Sequence, residues 1–189
     1  MAVVLSRTSF AAEREQLAFT ALVIPNQVSV KDLEAGGMSI LMELKVANLS
    51  KSASTRAAVL MDKFETPRLL ITGDQGLVPS SCMQDSTFPP ENSDFHVIWP
   101  TDTTYIPIEC GMGVRPNGKI YMGYVSRFGA HLTIGPMKKG TYQIVLQYQV
   151  KNKASHALKM EDGYPTFARW TLAVWEGTIR TSPVQFTIQ

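Results

Sequence analysis

Tyr142-Gln143-Ile144-Val145-Leu146-Gln147-Tyr148-Gln149-Val150 alternates glutamine with apolar partners, and Val184-Gln185-Phe186-Thr187-Ile188-Gln189 does the same. A side-chain period of two marks a strand with one face in a core and the other in water. Approached through Gly140 and Pro183, these stretches predict two antiparallel strands, with Tyr142, Ile144, Leu146, Tyr148 and Val150 turned inward. Val145 interrupts the alternation, which predicts cover on both faces of its strand.

The same reading extends toward the N-terminus. Residues 17–24 form an apolar run stopped by Pro25-Asn26. In 40–48, Ile40, Met42, Leu44 and Val46 line one face, with Glu43 and Lys45 on the other. A helix competes there, because Leu, Met, Glu and Lys favour helices. The alternation after Gly36-Gly37 decides for a strand. Further strands are expected at 57–60, 68–72, 95–99, 105–109, 119–126, 131–134 and within 166–180, where Trp170, Leu172 and Val174 share a face. Pro116-Asn117-Gly118 reads as a turn. Segments 73–94 and 152–165 lose periodicity and read as long loops, which in compact domains tend to be functional or mobile. The organisation expected is a polar lead-in at 1–16 and one domain over 17–189, all-β, with no convincing amphipathic helix.

Three pieces of sequence carry a resemblance. They are the alternating strand after Gly37 that ends in Asn48, Pro136-Met137-Lys138-Lys139-Gly140-Thr141-Tyr142, and Trp175-Glu176-Gly177-Thr178-Ile179-Arg180-Thr181-Ser182-Pro183-Val184. Together they resemble bacterial immunoglobulin-like and fibronectin-type-III-like modules. The resemblance implies an antiparallel immunoglobulin-like β-sandwich with long loop insertions. It also implies a corner hydrogen bond from Tyr142 to upstream backbone, and an edge strand near Gly177.

Composition narrows the function classes. At 189 residues with 44% hydrophobic and 18% charged residues, the chain is long and apolar enough for one substantial core. A net charge of +2 with scattered lysines and arginines gives no footprint for nucleic acid. No run reaches the roughly 18 apolar residues of a membrane span. An extracellular or periplasmic location is expected if a signal peptide has been removed, and a cytoplasmic one otherwise.

Residues suited to chemistry are few. His96, His131 and His156 share no metal-ligand spacing, and His131 reads as a surface strand position. The glycines of 111–118 precede a turn and a strand rather than the helix that a phosphate cradle needs. No G-x-S-x-G elbow and no calcium-loop spacing occurs, so no catalytic, cofactor or metal residue is expected. Asn48-Leu49-Ser50 fits a glycosylation sequon, with a turn-capping asparagine as the plainer reading. Cys82 and Cys110 are candidates for a disulfide that would pin the long loop to a strand end. Tyr164, Phe167 and Trp175 are candidates for a contact surface, since exposed aromatics favour interfaces. The function expected is a non-enzymatic binding or structural module of a cell-envelope or extracellular protein, contacting a protein or carbohydrate partner through loops. A proteinase inhibitor presenting an extended loop is one alternative, and a hydrolase with a site assembled from distant loops is another.

Overall fold

The computed structural model describes residues 17–51, 59–62, 67–83, 95–125, 131–150, 158–160, 170–172 and 177–189. In chain order the strands are β1 (Leu17–Ile24), β2 (Gln27–Val28), β3 (Met38–Asn48), β4 (Val59–Asp62), β5 (Arg68–Gly73), β6 (Gly76–Leu77), β7 (Ser80–Met83) and β8 (Phe95–Ile98). They continue with β9 (Thr103–Val114), β10 (Ile120–Val125), β11 (His131–Met137), β12 (Gly140–Val150), β13 (Leu158–Met160), β14 (Trp170–Leu172), β15 (Gly177–Arg180) and β16 (Val184–Ile188). A short helix, α1 (Val30–Ala35), lies between β2 and β3.

Two large sheets result. The first has the order β1-β3-β9-β10-β11-β7; the second has the order β2-β16-β12-β5-β6, with β15 also paired to β12. Two small ladders, β4 with β8 and β13 with β14, complete the described strands. Every pairing is antiparallel except β2 with β16. The inner faces of both sheets feed one core. Ile40, Met42, Leu44, Val46, Ile106 and Ile108 enter it from the first sheet, and Leu69, Ile71, Ile144, Leu146, Tyr148 and Phe186 from the second. The chain is therefore an all-β protein of two layers, as the period-two pattern predicts. In β3 the four alternating apolar residues are fully buried, so the strand reading prevails over the helix there.

β12 is paired on both sides. Gln143 to Gln147 face β5, while the other side meets β16 over Gly140–Ile144 and β15 over Gln147–Val150. Tyr142, Ile144, Leu146 and Tyr148 are buried as expected. Gln147 and Gln149 make cross-strand hydrogen bonds: Arg180 Nε donates to Gln147 Oε1 at 2.9 Å, and Gln149 Nε2 donates to Thr178 Oγ1 at 2.9 Å. Between β15 and β16 the chain breaks step at Thr181-Ser182-Pro183. There the Thr181 N–H donates to the Leu146 carbonyl at 3.0 Å, and the Thr181 hydroxyl accepts the Leu146 N–H at 3.1 Å.

The Tyr142 phenol reaches back four residues. It donates to the Lys138 carbonyl at 2.8 Å and accepts the Lys138 N–H at 2.9 Å, fixing the turn that feeds β12. Gly73 lies beneath the ring, where an added Cβ would come within 2.7 Å of Cε1.

Three features differ from the sequence reading. Segment 73–94 is not a loop throughout, because β6 and β7 lie inside it. Gly111–Val114 belongs to β9, so only Arg115 to Gly118 forms the turn, closed by the Gly118 N–H to the Arg115 carbonyl at 2.8 Å. A helix does occur. Its N-cap Ser29 accepts the Asp32 N–H at 3.1 Å, its hydroxyl donates to Asp32 Oδ2 at 2.6 Å, and Leu33 is its buried anchor. Its exit passes through Gly37 (φ +81°), where a Cβ would sit 2.9 Å from the Met112 carbonyl oxygen.

Tyr142→Phe should lower unfolding free energy by about 1–3 kcal/mol, since it strands a partly buried backbone pair at Lys138. Gly73→Ala should cost at least as much, by pushing the ring off that pair. Urea denaturation of each single variant and of the double variant checks this. Strict additivity of the two losses would contradict the shared contact.

Candidate binding face

The outer face of the first sheet is where the strands' outward residues collect. Register fixes which residues stand side by side. Ile24 is opposite Leu41, which is opposite Glu109; Leu22 is opposite Glu43, which is opposite Pro107; Thr20 is opposite Lys45, which is opposite Tyr105. Across the sheet, Val125 is opposite His131, which is opposite Met83. Several of these side chains are large, apolar and open to solvent: Leu22 at 46%, Ile24 at 50%, Tyr105 at 48%, Val125 at 57% and Met83 at 69%. Singly exposed apolar residues are ordinary, but several on one sheet face are not.

The centre of that face is hollowed by glycine. Ser39, Gly111, Gly123, Thr133 and Ser81 form one cross-strand row. A wide open depression of about 790 Å³ runs along Gly36 to Ser39 and Glu109 to Val114. A smaller one of about 370 Å³ shares Glu109 and Gly111 with it and continues over Gly123, Val125, His131 and Thr133. Beside it Arg115 stacks on Tyr121, with its guanidinium carbon 4.3 Å from the ring centre. Glu109, Tyr124 and His131 are the ionisable residues lining the smaller depression. Among the described residues, no group of three or more His, Cys, Asp or Glu is placed to hold a metal ion. None of their helices is long and apolar enough to cross a membrane.

The sequence-derived candidates fall differently. Tyr164, Phe167 and Trp175 lie outside the described residues. Cys82 and Cys110 are free thiols, one exposed and one buried. The expected disulfide is corrected by the register. Cys82 is opposite Leu132, Leu132 opposite Tyr124, and Tyr124 opposite Cys110. The cysteines thus occupy one row, three strand spacings or roughly 14 Å apart, twice the reach of about 7 Å that a disulfide allows. His131 stands at the exposed start of β11, the surface position expected of it. Asn48 is buried. Its amide donates to the Ile98 carbonyl at 3.2 Å and its Oδ1 accepts the Ser50 N–H at 3.0 Å, so its side chain serves the turn.

Sequence reasoning missed the sheet face itself. Leu22 and Ile24 lie in an apolar run that shows no period, so which side faces water could not be read there. The signal that existed was the odd-numbered glycines at 111 and 113, which alternate with buried Cys110 and Met112.

Burial sets the chemistry of the two groups beneath this face. It pushes the Cys110 thiol from an ordinary 9.0 up to about 12. It also lifts the Tyr124 phenol from 10.0 to about 12, with the nearby Cys110 adding to the rise. The phenol donates to the Pro67 carbonyl at 3.3 Å.

Comparison with protein-family models finds no match, and neither do comparisons with curated proteins and with solved structures.

Cys82 should react with a thiol reagent in the native protein and Cys110 only after unfolding, giving one equivalent and then a second. Two native equivalents, or none, would contradict the arrangement. Cys110 and Tyr124 stay neutral in the fold to higher pH than in the unfolded chain. Their contribution to stability is therefore complete below pH 9 and is lost as pH rises from about 9 toward 12. Urea midpoints taken from pH 8 to 11 should fall for wild type and fall less steeply for Tyr124→Phe.

Proposed function

We propose that the chain is a non-enzymatic, immunoglobulin-like module that binds a protein partner through the outer face of the six-stranded sheet. The observation that carries this reading is the gathering of Leu22, Ile24, Tyr105, Val125 and Met83 on that one face. A broad, open face with several exposed apolar side chains set among charged ones suits another protein, whereas small ligands favour enclosed pockets. The immunoglobulin-like part has two supports. The Tyr142 phenol bonds to backbone four residues upstream at the entrance to β12. In the second sheet β12 lies between β16 and β5, as the penultimate strand does in the three-stranded sheet of such modules. The departure is the run β9-β10-β11, three consecutive neighbours that add a hairpin to the first sheet.

The contact thus moves from loops to a sheet face, and the aromatic loop residues serve as the comparison. A photo-crosslinking amino acid would be installed separately at Tyr105, Val125, Tyr164 and Gln143, the last an exposed position on the second sheet. In extract of the native source, Tyr105 and Val125 should yield one shared adduct, the first lost with Val125→Lys and Met83→Lys and the second with Met83→Lys. These changes are at exposed positions and should alter stability by less than about 0.5 kcal/mol. Adducts only at Tyr164 would return the interface to the loops. Equal adducts at Gln143 would remove the proposal.

A further inference from the structure

Basic residues that lie apart in the sequence are gathered by the fold at one margin of the first sheet. Ile120 is opposite both Val114 and Met137, so the next residues outward on three neighbouring strands are Arg115, Lys119 and Lys138. All three are exposed, and Lys139 follows in the turn to β12. No carboxylate stands among them; along β9 the first on the same face is Glu109, three outward positions away. Like charges directly opposite one another destabilise a sheet, so the fold holds this row against its own repulsion. It is held firmly. The Arg115 N–H donates to the Lys119 carbonyl at 2.9 Å, and the Lys119 N–H donates to Asn117 Oδ1 at 3.0 Å. The Tyr142 phenol bonds both backbone groups of Lys138. The Arg115 guanidinium rests on the Tyr121 ring. That ring is seated over Gly135 (φ +139°), where a Cβ would come within 2.8 Å of its Cδ1.

We propose that this row receives an acidic, extended segment of the protein partner, with carboxylates seated on Arg115, Lys119 and Lys138. The inference rests on the binding-face reading for the partner's being a protein, since the row closes one end of that same face. Three neighbouring strand ends span roughly 10 Å. Side chains at i and i+2 of an extended segment stand roughly 7 Å apart on one side, so two carboxylates fit along the row and between its cations. A guanidinium held flat on an aromatic ring keeps its N–H fork presented for a carboxylate, which a mobile lysine does not. A nucleic-acid backbone fits less well, because four cations in a chain of net charge +2 give it no stripe to follow. A lipid surface also fits less well, since Pro116-Asn117-Gly118 between the cations offers no large apolar side chain to insert. Glu109 and Glu43 lie farther along the face. Its charge therefore runs from a basic margin to an acidic middle, which sets the direction in which the partner lies.

Fluorescence anisotropy tests the row on the purified full chain, with a labelled peptide of eight glutamates as probe and one of eight glutamines as control. At low salt only the glutamate peptide should bind. Lys119→Glu with Lys138→Glu should raise its dissociation constant at least about tenfold. Lys51→Glu with Arg68→Glu makes the same change in net charge at exposed positions elsewhere, and should raise it less than about threefold. Lys119→Glu alone places an opposite charge between Arg115 and Lys138, so its melting midpoint should rise by about 1–4 °C at low salt. A glutamate peptide that does not bind, equal weakening by the two double variants, or a Lys119→Glu midpoint that does not rise would each overturn the proposal. So would tighter binding of phosphatidylserine vesicles or of a single-stranded DNA through the same lysines. Crosslinking from Val125 in extract separates the two readings. An adduct undiminished by Lys119→Glu with Lys138→Glu would leave the binding face standing and remove the acidic segment. Absence of adducts at every face position, with the peptide still held by the row, would remove the binding-face reading and leave the row its acidic ligand.

Discussion

The backbone of β12 is the constraint on which the rest of the structure depends. Buried peptide groups must find partners, and β12 has strands on both sides over most of its length. One of those sides is covered by a chain that cannot stay in register, since Pro183 has no N–H to give. Thr181 resolves the break by using its own backbone and side chain on Leu146. That repair keeps Ile144, Leu146 and Tyr148 pointed into the core on either side of the interruption. It also holds the second sheet against the inner face of β3 and β9.

The parts legible in sequence are those where local pattern and burial agree. β3, β12 and β16 are readable because a half-buried strand writes its two environments into alternate residues, and β1 as an apolar run stopped by Pro25-Asn26. The Tyr142 turn was readable through resemblance, and the packing of Gly73 beneath it gives it a physical basis. β7 was not readable, because Ser80-Ser81-Cys82-Met83 is exposed throughout and has no alternation. Its strand state comes from β11, some fifty positions away in the chain, and no local signal reports such a partner. The helix was announced by Ser29, Asp32 and Gly36, a capping arrangement outweighed by its brevity.

The candidate site illustrates the same division. Leu22, Tyr105, Val125 and Met83 come from four strands, and only the strand order puts them on one face. The cysteine pair shows it from the opposite side: two residues that suggest a bridge in sequence stand in one row with two strands between them. The sequence ends a strand at Glu109 and leaves Gly111 ahead of a turn, yet both lie in the middle of the face.

The parallel pairing of β2 with β16 has a mechanical consequence. Asn26 and Val28 accept the N–H groups of Thr187 and Gln189, and Val30 donates to Gln189, all within 3.0 Å. Tension drawing the N-terminal side of β2 away from the C-terminal side of β16 would slide these two strands past each other lengthwise. The three bonds would then carry the load together, as a clamp in shear, whereas an antiparallel pair pulled from one end opens one bond at a time. A fold of this kind resists stretching along its chain more than its modest ladder length suggests, and that resistance resides in a strand of two residues.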